Sequence, residues 1–534
     1  MSPASPRGLS RPIADYAMIG DCETAALVSC DGSIDWLCLP RFDSGACFAA
    51  LLGTPDHGRW LLAPAGGVRR LRRSYRGESL VLETTYETED GTVAVIDCMP
   101  IRDGAADVVR VVEGRSGRVP MKMELVMRFD YGAVVPWVQA VSRGIRAFAG
   151  PDLLTLRGDV PVHGENLRTV AEFSVSPGER VAFDLVWSPS HAPIMRELDE
   201  RRAIEDTEAW WKSWAARCAQ DGPWREAVVR SLITLKALTY APTGGIVAAA
   251  TPSPPGKLGV ARNWDYRFSW IPDATLTLYA LLNAGYREEA IAWREWLVRA
   301  APRQPTQRQI MYGIAGERRL TELDLQWLPG YARSRPVRVG NAAYMQRQLD
   351  VYGEVLDALH QCRRVGLDPF EESWDLARAM LDHLEGAWRE PDSGIWEVRG
   401  RPRHFTHSKM MAWVAMDRAV KAVEQFGLKG DMTRWRRVRD EIHAQICEKA
   451  WSSSAGAFTQ SYGDDRLDAS LLLMPTVGFL PPDEPRVLAT VAAIERELTH
   501  DGFVRRYRTH HEVDGLEPGE GAFLACTFWL APAT

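Results

Sequence analysis

The sequence predicts a multidomain β + α protein, an N-terminal antiparallel β-sandwich followed by an α-helical toroid. Its 534 residues exceed what one hydrophobic core usually organises, so two or more domains are expected. The first third reads in short period-2 runs and the remainder at period 3.6.

From about residue 20 to 190, β-rich runs alternate with turn signals. In "LVLETTYETEDGTVAVIDCMP", Asp90-Gly91 separates two alternating segments and predicts a hairpin. "MKMELVMRFDYG" and "RVAFDLVWSP" follow the same pattern. The basic run "RRLRRSYR" at 69–76 fits a solvated strand edge. Residues 1–190 are therefore assigned to the sandwich.

At "RELDERRAIEDTEAWWKSWAARC" the period changes to helical, which makes 191–222 a helical linker. Residues 223–534 form the helical domain, with predicted helices that include "WREAVVRSLITLKALTY", "DATLTLYALLNAG", "EEAIAWREWLVRAA", "MQRQLDVYGEVLDALHQCRR", "SKMMAWVAMDRAVKAVEQFG" and "LDASLLLMPTVGFL". Long aromatic loops separate them, and loops of that length tend to carry function.

Composition excludes several classes. A formal charge of −6 argues against a general nucleic-acid binder. No run approaches the roughly 18 consecutive apolar residues of a membrane helix. The N-terminus lacks an apolar signal core, and nine scattered cysteines without a CxxC pair read as reduced thiols. A cytoplasmic protein is expected, with no cofactor and no metal, and its homo-oligomeric state is left open. The 20 tryptophans are the informative excess. Core packing accounts for most of them, and flat indoles that cover sugar rings are the functional alternative.

Three loops concentrate chemistry. "ARNWDYRFSWIPDAT" gathers Tyr266, Trp270 and Asp273, the last as a helix N-cap, a first-turn acid or a binding group. "LQWLPGYARSRPVRVGNAA" sets Trp327 and Tyr331 beside Arg333, Arg335 and Arg338. "DSGIWEVRGRPRHFTHSK" sets Trp396 against Glu397. Glycoside hydrolysis needs one protonated carboxyl group and one ionised one, and an indole that desolvates a glutamate raises its pKa. Glu397 is thus a candidate donor, against the alternative of a chance surface dipeptide. His404 and His407 lack a recognisable ligand set and read as hydrogen-bonding loop histidines rather than metal ligands.

"IADYAMIGDCETAALVSCDGSIDWLCLPRFDSGACFAALLG", "RNWDYRFSWIPDATLTLYALL", "LPGYARSRPVRVGNAA", "GIWEVRGRPRHFTHSKMMAWVAMDRA" and "GEGAFLACTFWL" resemble, in order, bacterial members of glycoside hydrolase family 15. That family holds glucoamylases, glucodextranases and trehalases. The resemblance implies an (α/α)6 barrel behind the sandwich and an inverting, exo-acting α-glucosidase with an α-glucoside substrate. It also implies Glu397 as general acid, with Tyr266, Trp270, Asp273, Arg335, Trp396 and Arg506 about the sugar.

Two departures from the family pattern follow. Pro272 stands where an arginine precedes the aspartate in relatives, which removes a forked donor. "GEGAFLACTFWLAPAT" resembles the opening of the eleventh barrel helix, and the family's general-base glutamate lies downstream of it. The base is therefore expected to be missing, the barrel incomplete at its C-terminal end and activity weakened or lost. Glu512, Glu517 and Glu520 are the nearest acids, with no motif to make any of them a substitute. The alternative reading is a non-catalytic or vestigial carbohydrate-binding scaffold.

Overall fold

The structure, a computed structural model, describes all residues except 1–10, 193–196, 253, 303, 305–306, 368–369, 510 and 532–534. Two antiparallel eight-stranded sheets form its N-terminal part. The first runs, neighbour to neighbour, Tyr16–Gly20, Ala25–Ser29, Ser33–Cys38, Arg59–Pro64, Val119–Val126, Arg168–Val175 and His163–Glu165, with Ala46–Phe48 paired to Ser33–Cys38. The second runs Trp137–Val141, Gly144–Ala149, Asp152–Gly158, Arg180–Pro189, Ala106–Gly117, Gly91–Cys98, Leu82–Thr88 and Val68–Tyr75.

Alternation decides which face each strand buries. In Val119–Val126, Val119, Met121, Met123 and Leu125 point into the core between the sheets while Pro120 and Lys122 face solvent. The hairpin expected at Asp90-Gly91 is present, with Leu82 opposite Asp97 and Glu87 opposite Thr92. Gly91 has φ of +146°, and a Cβ there would lie 2.0 Å from the Ser116 carbonyl, so the turn needs glycine. The basic run lies in Val68–Tyr75, the exposed edge of the second sheet.

The helices are α1 Glu200–Ala215, α2 Arg225–Ala237, α3 Ile271–Asn283, α4 Arg287–Ala300, α5 Asp350–Arg364, α6 Glu371–Ala387, α7 Thr406–Phe426, α8 Met432–Lys449, α9 Pro485–Leu498, α10 His511–Asp514 and α11 Leu524–Leu530. Two helices are buried on all sides although they carry charged residues, among them Asp350 and Glu354 of α5 and Lys409 and Asp417 of α7. Every residue of α7 from Thr406 to Val420 is buried, and α5 is buried almost as fully. They pack against each other, whereas the charged α8 buries only Trp435, Val438, Ile442 and Ile446. Inner helices backed by amphipathic outer ones fit the toroid expected from the sequence.

Two helix predictions need correction. "LDASLLLMPTVGFL" forms only a 3-10 turn, Ala469–Leu473, because Pro475 and Gly478 break the apolar run. The helix expected from Met345 begins at Asp350 instead: Met345 ends a 3-10 turn, the chain turns extended at Gln346, and residues 345–348 form part of a cavity wall.

Candidate active site

The loops entering α3, α5 and α7 meet a C-terminal segment around a cavity of about 210 Å³. Tyr266, Trp270, Asp273, Trp396, Glu397 and Arg506, all expected from the sequence, line it together. Arg335 is exposed and is not among the lining residues. Arg262 and Arg399 occupy the cavity wall, and Pro272 lines it without a donor.

The first turn of α3 positions two of these groups. Trp270 is the N-cap residue, Pro272 fits the second helical position and Asp273 the third, so Asp273 is a first-turn acid rather than the cap. Its carboxylate is open to the cavity. Tyr266 and Trp270 lie with ring centroids 5.8 Å apart.

Glu397 sits half-buried on the loop between α6 and α7. Its backbone is left-handed, φ +53°, which is uncommon for a residue with a Cβ and clusters at functional sites. Gln346 Nε2 donates to the carbonyls of both Glu397 and Val398 at 3.3 Å. Trp270 Nε1 donates to Glu397 Oε1 at 2.5 Å. Burial pushes the Glu397 carboxyl up to about 7; Asp273 adds to that shift, while the Trp270 hydrogen bond, Arg399 and Arg506 oppose it.

The adjacent indole plays a different part from the one the dipeptide suggested. Trp396 Nε1 is committed to Asp468, 3.0 Å from each carboxylate oxygen. Its ring packs edge-on against Phe523 at 5.7 Å and under the Arg506 guanidinium at 5.0 Å. The indole that touches the acid is Trp270, a partner 127 residues away that no local pattern reveals.

The remaining carboxylates of the cavity are engaged. Arg262 binds Asp514 at 2.7 Å, and Arg506 forks onto Glu520, with Nε at 2.9 Å. Glu517 is exposed, and its carbonyl accepts from Arg262. The Glu512 side chain lies outside the described residues.

Other sequence candidates fall elsewhere. Trp327 Nε1 bonds the Tyr131 carbonyl and the Tyr331 hydroxyl bonds the Arg11 carbonyl, so the second aromatic loop docks on the β-sandwich. Arg338 lies 4.6 Å over the Trp264 ring. His404 stacks on Tyr462 at 5.9 Å. His407 is buried in the first turn of α7 with no partner for either ring nitrogen, contrary to the hydrogen-bonding role expected, and burial pushes its pKa down to about 3.

A carboxyl group whose pKa burial raises to about 7, held among aromatic rings and arginines on a loop between helices, is the equipment of a glycoside hydrolase. The chain belongs to glycosyl hydrolases family 15, whose family model matches residues 222–533, and a trehalase-like N-terminal family model matches residues 8–208. It is 39% identical to the trehalase of Mycobacterium tuberculosis over 100% of this chain and 83% of that protein. It is 32% identical to the trehalase of Thermoplasma volcanium over 96% of this chain and 83% of that protein. A bacterial glucoamylase solved with acarbose shares the fold, with a TM-score of 0.67 and 11% identity over 98% of this chain and 85% of that one.

Proposed function

We propose that this glycoside hydrolase cleaves a terminal α-glucosidic bond with inversion, that trehalose is the first substrate to test, and that Glu397 protonates the leaving oxygen. The observation that carries the reading is the raised pKa of Glu397, about 7, inside a cavity walled by aromatic rings. The relatives named as trehalases support the substrate. The cavity volume of about 210 Å³ is below the roughly 300–1,000 Å³ of sites for drug-sized ligands, which favours one terminal sugar ring over a long glycan.

The geometry suggests how the acid works. Oε1 accepts from Trp270, the part that the carbonyl oxygen of a carboxylic acid fills best, which favours Oε2 as the oxygen that delivers the proton. Tyr266, Trp270 and Trp396 offer flat faces to a pyranose, and Asp273 offers acceptors to its hydroxyls. Arg506, fixed by Glu520, holds a permanent positive charge beside the acid.

Inversion also requires a base that activates water on the opposite face. Among the described cavity residues Asp514 and Glu520 are tied to arginines, and Asp273 stands beside the donor. We therefore keep weakened turnover, or carbohydrate binding alone, as part of the reading for the residues described. The nine cysteines, all free thiols, support a cytoplasmic site of action. Among the described residues no helix is long and apolar enough to cross a membrane.

Glucose release from trehalose by the 534-residue chain and by Glu397→Gln tests the reading. The variant is expected to lose two to four decades of whatever rate the parent shows, with an unchanged melting profile. Equal rates in the two proteins would remove Glu397 from the mechanism. Calorimetric binding of trehalose without turnover in either protein would favour the binding scaffold.

A further inference from the structure

The edge strand of a sheet presents a row of unpaired N–H and C=O groups, and native sheets blunt such edges with charge, shortness or cover. Three of the four edges in the β-sheet part are managed in this way. Val68–Tyr75 carries Arg69, Arg70, Arg72 and Arg73. His163–Glu165 is only three residues long. Tyr16–Gly20 is covered by the Tyr75 hydroxyl, which donates to the Met18 carbonyl and accepts from the Met18 N–H.

The fourth edge, Trp137–Val141, is bare. It lies in "YGAVVPWVQAVS", residues 131–142, which holds no charged residue. Trp137 is 85% exposed, Val138 53% and Val135 50%, and the strand borders a cavity of about 360 Å³ that reaches the core residues Leu125 and Met127. Leu167, on the same cavity, is 73% exposed and has a left-handed backbone, φ +61°, that a side chain of its size seldom adopts. With Val134 these side chains expose on the order of 550 Å², near the top of the range for the largest apolar patch on a monomer.

We propose that this edge pairs antiparallel with the same edge of a second copy of the chain, with Gln139 on the twofold axis. That centre lets all five residues of the strand pair. It sets Trp137 opposite Val141 of the second copy and Val138 opposite Ala140 of the second copy, and an aromatic ring against a β-branched side chain is a favourable cross-strand pair. No charge meets its like across the axis, because the strand has none. Such an interface is self-complementary and closes at two copies. The arginines of the opposite edge resist the same pairing there, so the sheet extends no further. A stable dimer buries about 800 Å² per copy, and the apolar patch supplies roughly two thirds of that before Gln139, Ala140 and the strand backbone are counted. A second strand satisfies the unpaired backbone groups as well as covering the patch, which a sugar stacked on Trp137 does not. None of these residues lines the candidate active site, so the inference is independent of the reaction proposed above.

Sedimentation velocity of the full chain, loaded from about 0.1 to 50 μM to span the affinities of interfaces of this size, tests the proposal. The parent is expected to run as a dimer that dissociates on dilution. Val138→Lys puts a charge into the paired edge and should be monomeric at every loading, with circular dichroism unchanged. Leu71→Lys, the control on the arginine-bearing edge, should stay dimeric. Gln139→Cys reads the register without a charge: opposed across the axis, the two thiols should give an oxidised dimer on a non-reducing gel, whereas the parent, whose cysteines are buried or half-buried, should not. A parent that is monomeric throughout overturns the proposal, as does a dimer left intact by Val138→Lys or not cross-linked by Gln139→Cys. A monomeric parent retarded on a glycogen gel, with the retardation lost in Trp137→Ala, would give the patch to a sugar instead.

Discussion

Glu397 is held in two disfavoured states at once, a left-handed backbone and a carboxyl group whose ionised form is penalised by burial. Both are consistent with a residue whose use outweighs its local cost. In the proposed role Glu397 works protonated, so its usable fraction is full well below pH 7 and falls as pH rises through about 7. The kcat/KM for glucoside hydrolysis is therefore expected to drop about tenfold per pH unit above that point. Trp270 moves the limb, because its N–H favours the ionised carboxylate and so holds the pKa down. Trp270→Phe should raise the donor's pKa and shift the basic limb to higher pH. A limb that stays in place in the Phe variant, measured over pH 5 to 9, would mean that the indole does not act on the carboxyl.

Between residue and domain, the support of the Glu397 loop falls to segment 346–348. Gln346 satisfies the carbonyls of Glu397 and Val398 together, and Gln348 donates to the Gln346 amide oxygen at 3.3 Å. Gln346→Ala frees both carbonyls and loosens the left-handed turn, so kcat should fall about 10- to 100-fold while KM stays within about twofold. A rise in KM at constant kcat would instead place Gln346 in sugar binding. This support is not legible in the sequence, where "MQRQLD" continues the helical period of α5 and predicts an uninterrupted helix. Elements with a complete local signal read correctly: the Asp90-Gly91 hairpin from its alternation, and α7 from its unbroken period. The Trp396-Glu397 dipeptide marked the carboxyl group now found in the cavity, whereas its Trp270 partner arises from tertiary packing across 127 residues. Arg262 and Arg399 lie in loops whose sequence signal is carried by their aromatic residues, and no spacing marks either arginine as part of the cavity.

At the scale of the whole molecule, the cavity's first loop is fastened to the β-sandwich on either side of Tyr266. Asp265 accepts two hydrogen bonds from the Arg267 guanidinium and one from the Gly340 N–H, and both members of the pair are buried. Arg267 then crosses to the sandwich, bonding the Tyr131 hydroxyl at 2.8 Å and the Ser44 carbonyl at 2.9 Å. Around it Trp36, Leu51, Leu52 and Tyr131 pack against Leu325, Leu328, Tyr331 and Val337 in one apolar cluster shared by both parts. The β-sheet part therefore sets the position of a loop that lines the candidate cavity, which connects the docking of the two parts to the proposed catalysis. Arg267→Met leaves Asp265 as an unpaired buried carboxylate and should cost about 3–5 kcal/mol. Adding Asp265→Asn removes that charge, so the double variant should recover part of the loss in a denaturation cycle. If the pair joins the two parts, the single variant should also split one calorimetric transition into two and raise KM through the released loop. An Arg267→Met protein that melts in one transition at the parent's temperature would show that the apolar cluster alone holds the parts together.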